Sequence, residues 1–290
     1  MAMAGVILKT PEFKLPEPNL NADVPDTLWW LWLHTRRYVG PDLRLGGIIA
    51  WKKGFHAPGS WNAKNFPTNY SIRDKVNKSG LGWTKSSALD LTFTSAQRGD
   101  YRNIDTISSR LMASMLDPKD PRLDLFLYEF YGQIDNDRVV EGYNEFKEDH
   151  VSSDDSHLWH IHESAIRSLL GNWWGAWATY TVHVGMPLSA WRATLPASAP
   201  KPPAPKPVPV PAGLATYAPG SRTLREGVKP GTDVVFVQKF IGEKRAGKAD
   251  GIPGPKFTAG VKWYQGMRFG WKNPDGILEK GGQTWRAMGH

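Results

Sequence analysis

Three of the chain's eight histidines, His157, His160 and His162, fall within the short stretch SHLWHIHES at 156–164. Imidazole concentrated so tightly points to the handling of a metal ion or a proton, because it ligates as a borderline-soft base and titrates near neutrality. In an extended strand the side chains alternate, so His160 and His162 project from one face. His157 lies just upstream, where a turn could bring it back toward them. A catalytic zinc takes three protein ligands and a water, so two same-face histidines need a further ligand from elsewhere in the chain.

Asp90 is the best candidate for that ligand. In SALDLTF (87–93), Leu89, Leu91 and Phe93 share one face and Ala88, Asp90 and Thr92 the other. A carboxylate that interrupts an apolar strand is costly unless it is paired or metal-bound. His56, in GFHAPGSWN, is the best remaining histidine. His34 and His183 sit in Trp-rich apolar contexts that suit hydrogen-bonded core residues, while His150 and His290 read as surface positions. Other catalytic devices are weaker. The chain has no cysteine, hence no thiolate nucleophile, thiolate metal site or disulfide. It has no Gly-x-Ser-x-Gly elbow, no HExxH and no P-loop. A glycosidase-like carboxylate pair such as Glu141 with Glu145 has no supporting context.

The elements that must position these residues read as α+β around an antiparallel sheet. DTLWWLWLHTRRYVG (26–40) predicts a helix capped by Asp26 or Thr27, and GGIIAWKKGF (46–55) a strand. SALDLTF alternates as a strand, and NIDTISSRLMASML (103–116) has the spacing of an amphipathic helix. RLDLFLYEFYG (122–132) reads as a strand or short helix, LWHIHES alternates again, and a Trp-rich segment from Ala165 closes the domain.

At 290 residues, with 40% hydrophobic and 22% charged side chains, the chain has room for one large globular domain and a small one. The net charge of +8 suggests a polyanionic partner: nucleic acid, anionic lipid or a bacterial wall rich in anionic polymers. The basic residues are spread along the chain, which argues against a dedicated nucleic-acid tail. TLWWLWLH is too short to span a bilayer, so no membrane insertion is expected. The first residues lack a signal peptide's charged and long apolar regions.

The proline-rich segment PASAPKPPAPKPVPVPAG (196–213) cannot join a sheet or helix interior and reads as a linker. It divides a domain at 1–195 from a small all-α domain at 214–290. In the latter, TDVVFVQKFIG predicts a helix from Thr232 to a stop at Gly242, and two DGI turns each lead into another helix, giving a compact three-helix unit. The run RTLREGVKPGTDVVFVQKFIG…ADGIPGPKFTAGVKWYQ…PDGI…TWRAMG resembles the type 1 peptidoglycan-binding domain. Gln238, Trp263 and Trp285 are read as core or capping residues within it, because a fold match does not locate a ligand groove.

The histidine cluster in turn resembles the zinc peptidoglycan peptidases: the D-Ala-D-Ala carboxypeptidase and endolysin group and the penicillin-insensitive murein endopeptidases. The His-x-x-His-x-His spacing of the latter is reproduced by HLWHIH at 157, 160 and 162, and SALD matches the Ala-x-Asp ligand position. The resemblance implies His162 and Asp90 as zinc ligands, His160 as the residue assisting the attacking water, and His157 as a neighbouring acid–base or orienting residue. The family's first ligand histidine stands seven residues before the aspartate, where this chain has Trp83. His56 is expected to supply that ligand from the preceding loop. A second register takes His157 or His160 as ligand with Asp154 or Asp155 as base, Asp154 standing three residues before His157 as an acidic residue does in the carboxypeptidase group.

The two resemblances together imply a phage endolysin: a monomeric Zn²⁺-dependent peptidase acting on bacterial peptidoglycan, not on nucleic acid. It would be held in the host cytoplasm until a membrane lesion releases it to the cell wall. The rival is a non-catalytic wall-binding or virion structural protein with a decayed metal site, kept open by Trp83.

Overall fold

The computed structural model describes residues 13–117, 119–135, 138–147, 149–195, 213–269 and 271–288. The expected α+β class is what forms: helices accompany one six-stranded antiparallel sheet. Its strands are β1 (Leu43–Gly47), β2 (Ala88–Phe93), β3 (Leu127–Gly132), β4 (Glu141–Asn144), β5 (Asp149–Val151) and β6 (His160–Ala165). They lie in the order β1-β2-β6-β3-β4-β5, so the strands carrying Asp90 and the histidine pair are neighbours inside the sheet. The register is fixed by bonds from Phe93 N to Trp159 O (2.8 Å) and from Ala165 N to Ser87 O (2.7 Å). Midway between these bonds, Asp90 stands opposite His162.

The described residues fall into two compact units. The first takes the N-terminal part up to Thr92, Arg122–Tyr128 and the segment from His162; the second takes Phe93–Pro121, Glu129–Ile161 and the C-terminal segment.

In the first unit, α1 (Asp26–Val39) packs on α4 (Trp173–His183). Leu28, Trp30, Leu31, Trp32 and Leu33 of α1 are all buried, and Trp30 meets the rings of Trp177, Tyr180 and His34. Neither expected cap acts as one. Pro25 occupies the N-cap, Asp26 sits in the first turn, and the Thr27 hydroxyl donates to the Leu170 carbonyl. The strand expected at 46–55 instead forms earlier, as β1, and ends at Gly47. A β-carbon on Gly46 would come within 2.8 Å of the Asp90 side chain and 2.4 Å of Thr92, so only glycine lets β1 approach β2 here. Beyond Gly47 the chain leaves the sheet as a loop that leads into α2 (Gly59–Asn65), with Gly54 O taken by the Asn62 and Arg167 side chains and His56 O by Ala50 N of the same loop. Short α5 (Leu188–Thr194) buries Trp191.

In the second unit, α3 (Arg102–Leu116) buries Ile104, Ile107 and Leu111, the face expected from its spacing. The 122–132 segment, which belongs to the first unit up to Tyr128, takes both forms expected of it, a 3-10 turn at Leu123–Leu125 followed by β3. β3 pairs with β4, and β4 with β5, in antiparallel register.

The C-terminal segment forms α6 (Thr232–Ile241), α7 (Glu243–Ala246), α8 (Pro255–Phe269) and α9 (Gln283–Ala287), one short helix more than its sequence pattern suggests. Gly242 stops α6 as expected, but Gly231 is its N-cap, and the Thr232 hydroxyl bonds to the backbone N–H and carbonyl of Tyr217. The two DGI turns are built alike. Gln238 Oε1 accepts from Gly251 N (2.9 Å) while its amide donates to Asp250 and Ile252; Gln265 repeats this on Gly276, Asp275 and Ile277. Gln238 and Trp285 are buried, the structural role expected of them, and Trp263 lies under the Arg245 guanidinium at 3.8 Å. The proline-rich segment, apart from Gly213, and His290 lie outside the described residues.

Candidate metal centre

Three side chains distant in sequence converge on one point: His56 from the loop after β1, Asp90 from β2 and His162 from β6. One ligand atom from each lies within 4.8 Å of the others. His162 Nδ1 is 2.8 Å from Asp90 Oδ1, and His56 Nε2 is 3.2 Å from both the Asp90 carboxylate and His162 Nδ1. Both histidines are buried, while the carboxylate keeps a partly open edge.

Ring orientation follows from each histidine's other nitrogen. His56 Nδ1 lies 2.9 Å from the Ile48 carbonyl, which can only accept, so Nδ1 carries the proton and Nε2 presents a lone pair to the site. His162 Nε2 lies 3.0 Å from Ser164 Oγ, leaving Nδ1 to face Asp90. A lone pair, a carboxylate and a second ring nitrogen within 3.2 Å of one another require a positive species between them, either a proton or a metal ion. Burial by itself would raise the Asp90 carboxyl, but hydrogen bonds and charge from His162 and His56 outweigh it and hold the group well below the usual carboxylate range. A ligand must be deprotonated to bind a metal, so the group is ready to do so. Two imidazole nitrogens and one carboxylate oxygen are a donor set suited to Zn²⁺, with the fourth position left for water or substrate.

The loop bearing His56 is held by polar side chains from outside it. Asn62 of α2 accepts from Gly54 N and donates to Gly54 O (2.7 Å), with longer bonds to Ala57 O and Pro58 O. Arg167, just past β6 and fully buried, donates to the carbonyls of Gly54, Ser71 and Gly82 and lies over the Phe55 ring. Desolvation lowers its guanidinium to about 10, and carbonyl oxygens rather than a carboxylate satisfy it. Trp83 occupies a 3-10 turn, Leu81–Trp83, with its ring packed against Gly59, where a β-carbon would come within 2.7 Å of the ring. His56, not Trp83, is the residue that converges with Asp90 and His162.

The remaining candidates form a second group. His157 and His160 have ring centroids 4.5 Å apart, and Tyr131 lies 5.4 Å from His157. His157 Nδ1 is 3.1 Å from the Asp154 carbonyl. The Asp154 carboxylate is exposed and caps the turn by accepting from Ser156 N at 3.0 Å. The Ser156 hydrogen bonds hold Asp154 below its ordinary value, and the carboxylate shapes the turn. The second register is not the one the structure assembles: the site gathers His162, not His157 or His160, with Asp90 and His56. His183 is a core residue as expected, whereas His34 is only half-buried. His183 Nδ1 lies 2.9 Å from the Thr35 hydroxyl and its Nε2 2.7 Å from the Glu163 carboxylate, and His34 stacks on Trp30 at 4.1 Å. His150 is half-buried, against the edge of Tyr143, rather than at the surface.

Sequence reasoning missed Ser164, Asn62, Arg167 and Tyr131. Only Ser164 carried a readable signal, standing two residues beyond His162 on the same strand face. Comparison with known protein families, with curated proteins and with solved structures returns no match in any of the three.

Proposed function

We infer that the chain is a zinc-dependent peptidoglycan peptidase of the endolysin kind, hydrolysing an amide bond in the wall stem peptide or cross-link. The observation that carries this reading is the buried convergence of His56 Nε2, the Asp90 carboxylate and His162 Nδ1. These three residues would hold the ion, with the Ile48 carbonyl and Ser164 hydroxyl fixing the two rings from behind. Zinc held there would supply a water of lowered pKa and a Lewis acid for the scissile carbonyl.

His160 lies two residues before His162 and, by strand alternation, on the same face of β6, which suits it to pass a proton to the leaving amine. His157, against its ring, restrains His160, and the Asp154 carbonyl orients His157 in turn. The C-terminal helices with their paired Gln-clamped turns act as the wall-binding module, and tethering through 196–213 raises the enzyme's local concentration on the polymer. The net charge of +8 favours an anionic wall. The enzyme works as a monomer, waiting in the host cytoplasm and acting once released to the wall. No helix among the described residues is long and apolar enough to cross a membrane.

The test is zinc content by atomic emission together with release of amino groups from purified walls, with and without chelator. One zinc per chain and chelator-sensitive release are expected, both lost in His162→Ala. Wall binding without zinc or amino-group release would instead identify a non-catalytic wall-binding protein.

A further inference from the structure

In the loop that bears His56 and along the helix that follows it, three aromatic rings meet at the surface rather than in the core. Trp51 is 56% exposed and Phe66 39%, with Trp61 half-buried between them. Ring centroids are 5.8 Å apart for Trp51–Trp61 and 5.6 Å for Trp61–Phe66. Exposed aromatic faces in mutual contact form a patch of the kind that marks a binding surface. The charge around them is one-sided. Residues 50–66 include Lys52, Lys53 and Lys64, all exposed, and no aspartate or glutamate.

This ladder is fixed to the site. Ala50 N donates to the carbonyl of His56 (3.1 Å), closing the loop whose first tip residue is Trp51. Asn62, next to Trp61, clamps the same loop through Gly54. The rings and the His56 imidazole are therefore carried by one hydrogen-bonded piece of chain.

An aromatic face carries the negative part of the ring quadrupole and attracts the weakly positive C–H face of a pyranose, while ammonium groups attract carboxylates. The rings follow one another as a row, edge to face at Trp51–Trp61 and tilted at Trp61–Phe66, which suits a polymer lying along them. We propose that Trp51, Trp61 and Phe66, with Lys52, Lys53 and Lys64, form a sugar-stacking subsite that seats the glycan strand of an acidic, N-acetylated polysaccharide beside the His56–Asp90–His162 group. The proposal rests on the peptidase reading and names the part of the polymer that this face holds.

The experiment titrates the zinc-loaded full-length protein with the tetramer of N-acetylglucosamine by calorimetry. Parallel titrations use a single-stranded oligothymidine and vesicles of phosphatidylcholine with phosphatidylglycerol. Trp51→Ala should weaken the sugar about tenfold, the scale of losing one stacked ring. Zinc content and cleavage of a free stem pentapeptide should stay unchanged. Trp61→Phe, which keeps a ring in place, should weaken the sugar less. Equal sugar binding by Trp51→Ala and the parent overturns the proposal, as does no sugar binding by the parent. Trp51-dependent binding of the oligonucleotide or vesicles in preference to the sugar also overturns it. Trp51-dependent sugar binding without zinc or peptide cleavage would uphold the subsite and sink the peptidase reading; the reverse pattern would do the opposite.

Discussion

β6 carries a histidine and a glutamate on adjacent residues, and the two faces of the strand use them in opposite ways. On one face His162 meets Asp90 and His56; on the other Glu163 lies 2.7 Å from His183 Nε2, and His183 Nδ1 lies 2.9 Å from the Thr35 hydroxyl. Both groups are buried and both combine imidazole with carboxylate. In the Glu163 group each ring nitrogen has its own neighbour, the Thr35 hydroxyl on one side and the Glu163 carboxylate on the other, so one ring faces one carboxylate. In the His162 group two ring nitrogens and a carboxylate face one another, and their outward positions are already taken by Ile48 and Ser164. A composition-level reading sees His with Asp or Glu in both. The direction in which the ring nitrogens point separates the Glu163 pair from a group that could hold a metal ion.

The sharpest way to break this contrast is to remove the carboxylate on each side. Asp90→Asn should abolish zinc binding and lower wall hydrolysis at least about a thousandfold, since the attacking water then loses its activation. Chelator should lower the melting temperature of the parent but leave that of Asp90→Asn where it is, as expected when a ligand binds only the folded state. Retained zinc in the variant would end the comparison. Glu163→Ala should cost about 3 kcal/mol in denaturant unfolding, because His183 loses its buried partner, yet keep one zinc per folded chain. Loss of zinc in step with stability would mean that the two faces are one system.

Smaller changes sharpen the contrast. Ser164→Ala removes the group behind His162 and should weaken zinc about tenfold in a competition titration, with little change in chelator-treated stability. His34 lies outside both groups and isolates the effect of burial. Desolvation, with Arg37 nearby, lowers it to about 4 from an ordinary 6.5. A depressed histidine contributes stability that is complete above the unfolded value and is lost as pH falls from about 6.5 toward 4. For this partly buried ring the loss is about 1–2 kcal/mol, and unfolding of the chelator-treated parent and His34→Gln across that range should show it only in the parent.

Much of this was legible in the chain. The alternation of SALDLTF and HIHES gave two strands with polar residues on one face, and NIDTISSRLMASML gave the face of α3, because periods of 2.0 and 3.6 follow from local backbone geometry. The placing of a strand at 46–55 failed because the apolar run was read without its partners. Ile48 and Phe55 are indeed buried, but in a loop whose carbonyls go to scattered groups: Ile48 O to Ser86 and His56, Gly54 O to Asn62 and Arg167, Phe55 O to Ser87. Thr232 and Asp26 failed as caps for a related reason: Thr232 serves Tyr217 and Asp26 accepts from Asn19. A cap is decided by which N–H a short side chain finds nearest, and residues distant in sequence compete for it.

The sequence by itself determined the two strands, the residue types able to bind a metal and the exclusion of thiolate chemistry, all set by composition and by local periodicity. Tertiary structure decided which histidine completes the group. His56 stands 34 residues before Asp90 and 106 before His162, and no local period links such distances. Its place is set by Asn62, by the buried Arg167 and by the Trp83 ring lying against Gly59. Packing and long-range hydrogen bonds choose among candidates that local geometry leaves equal.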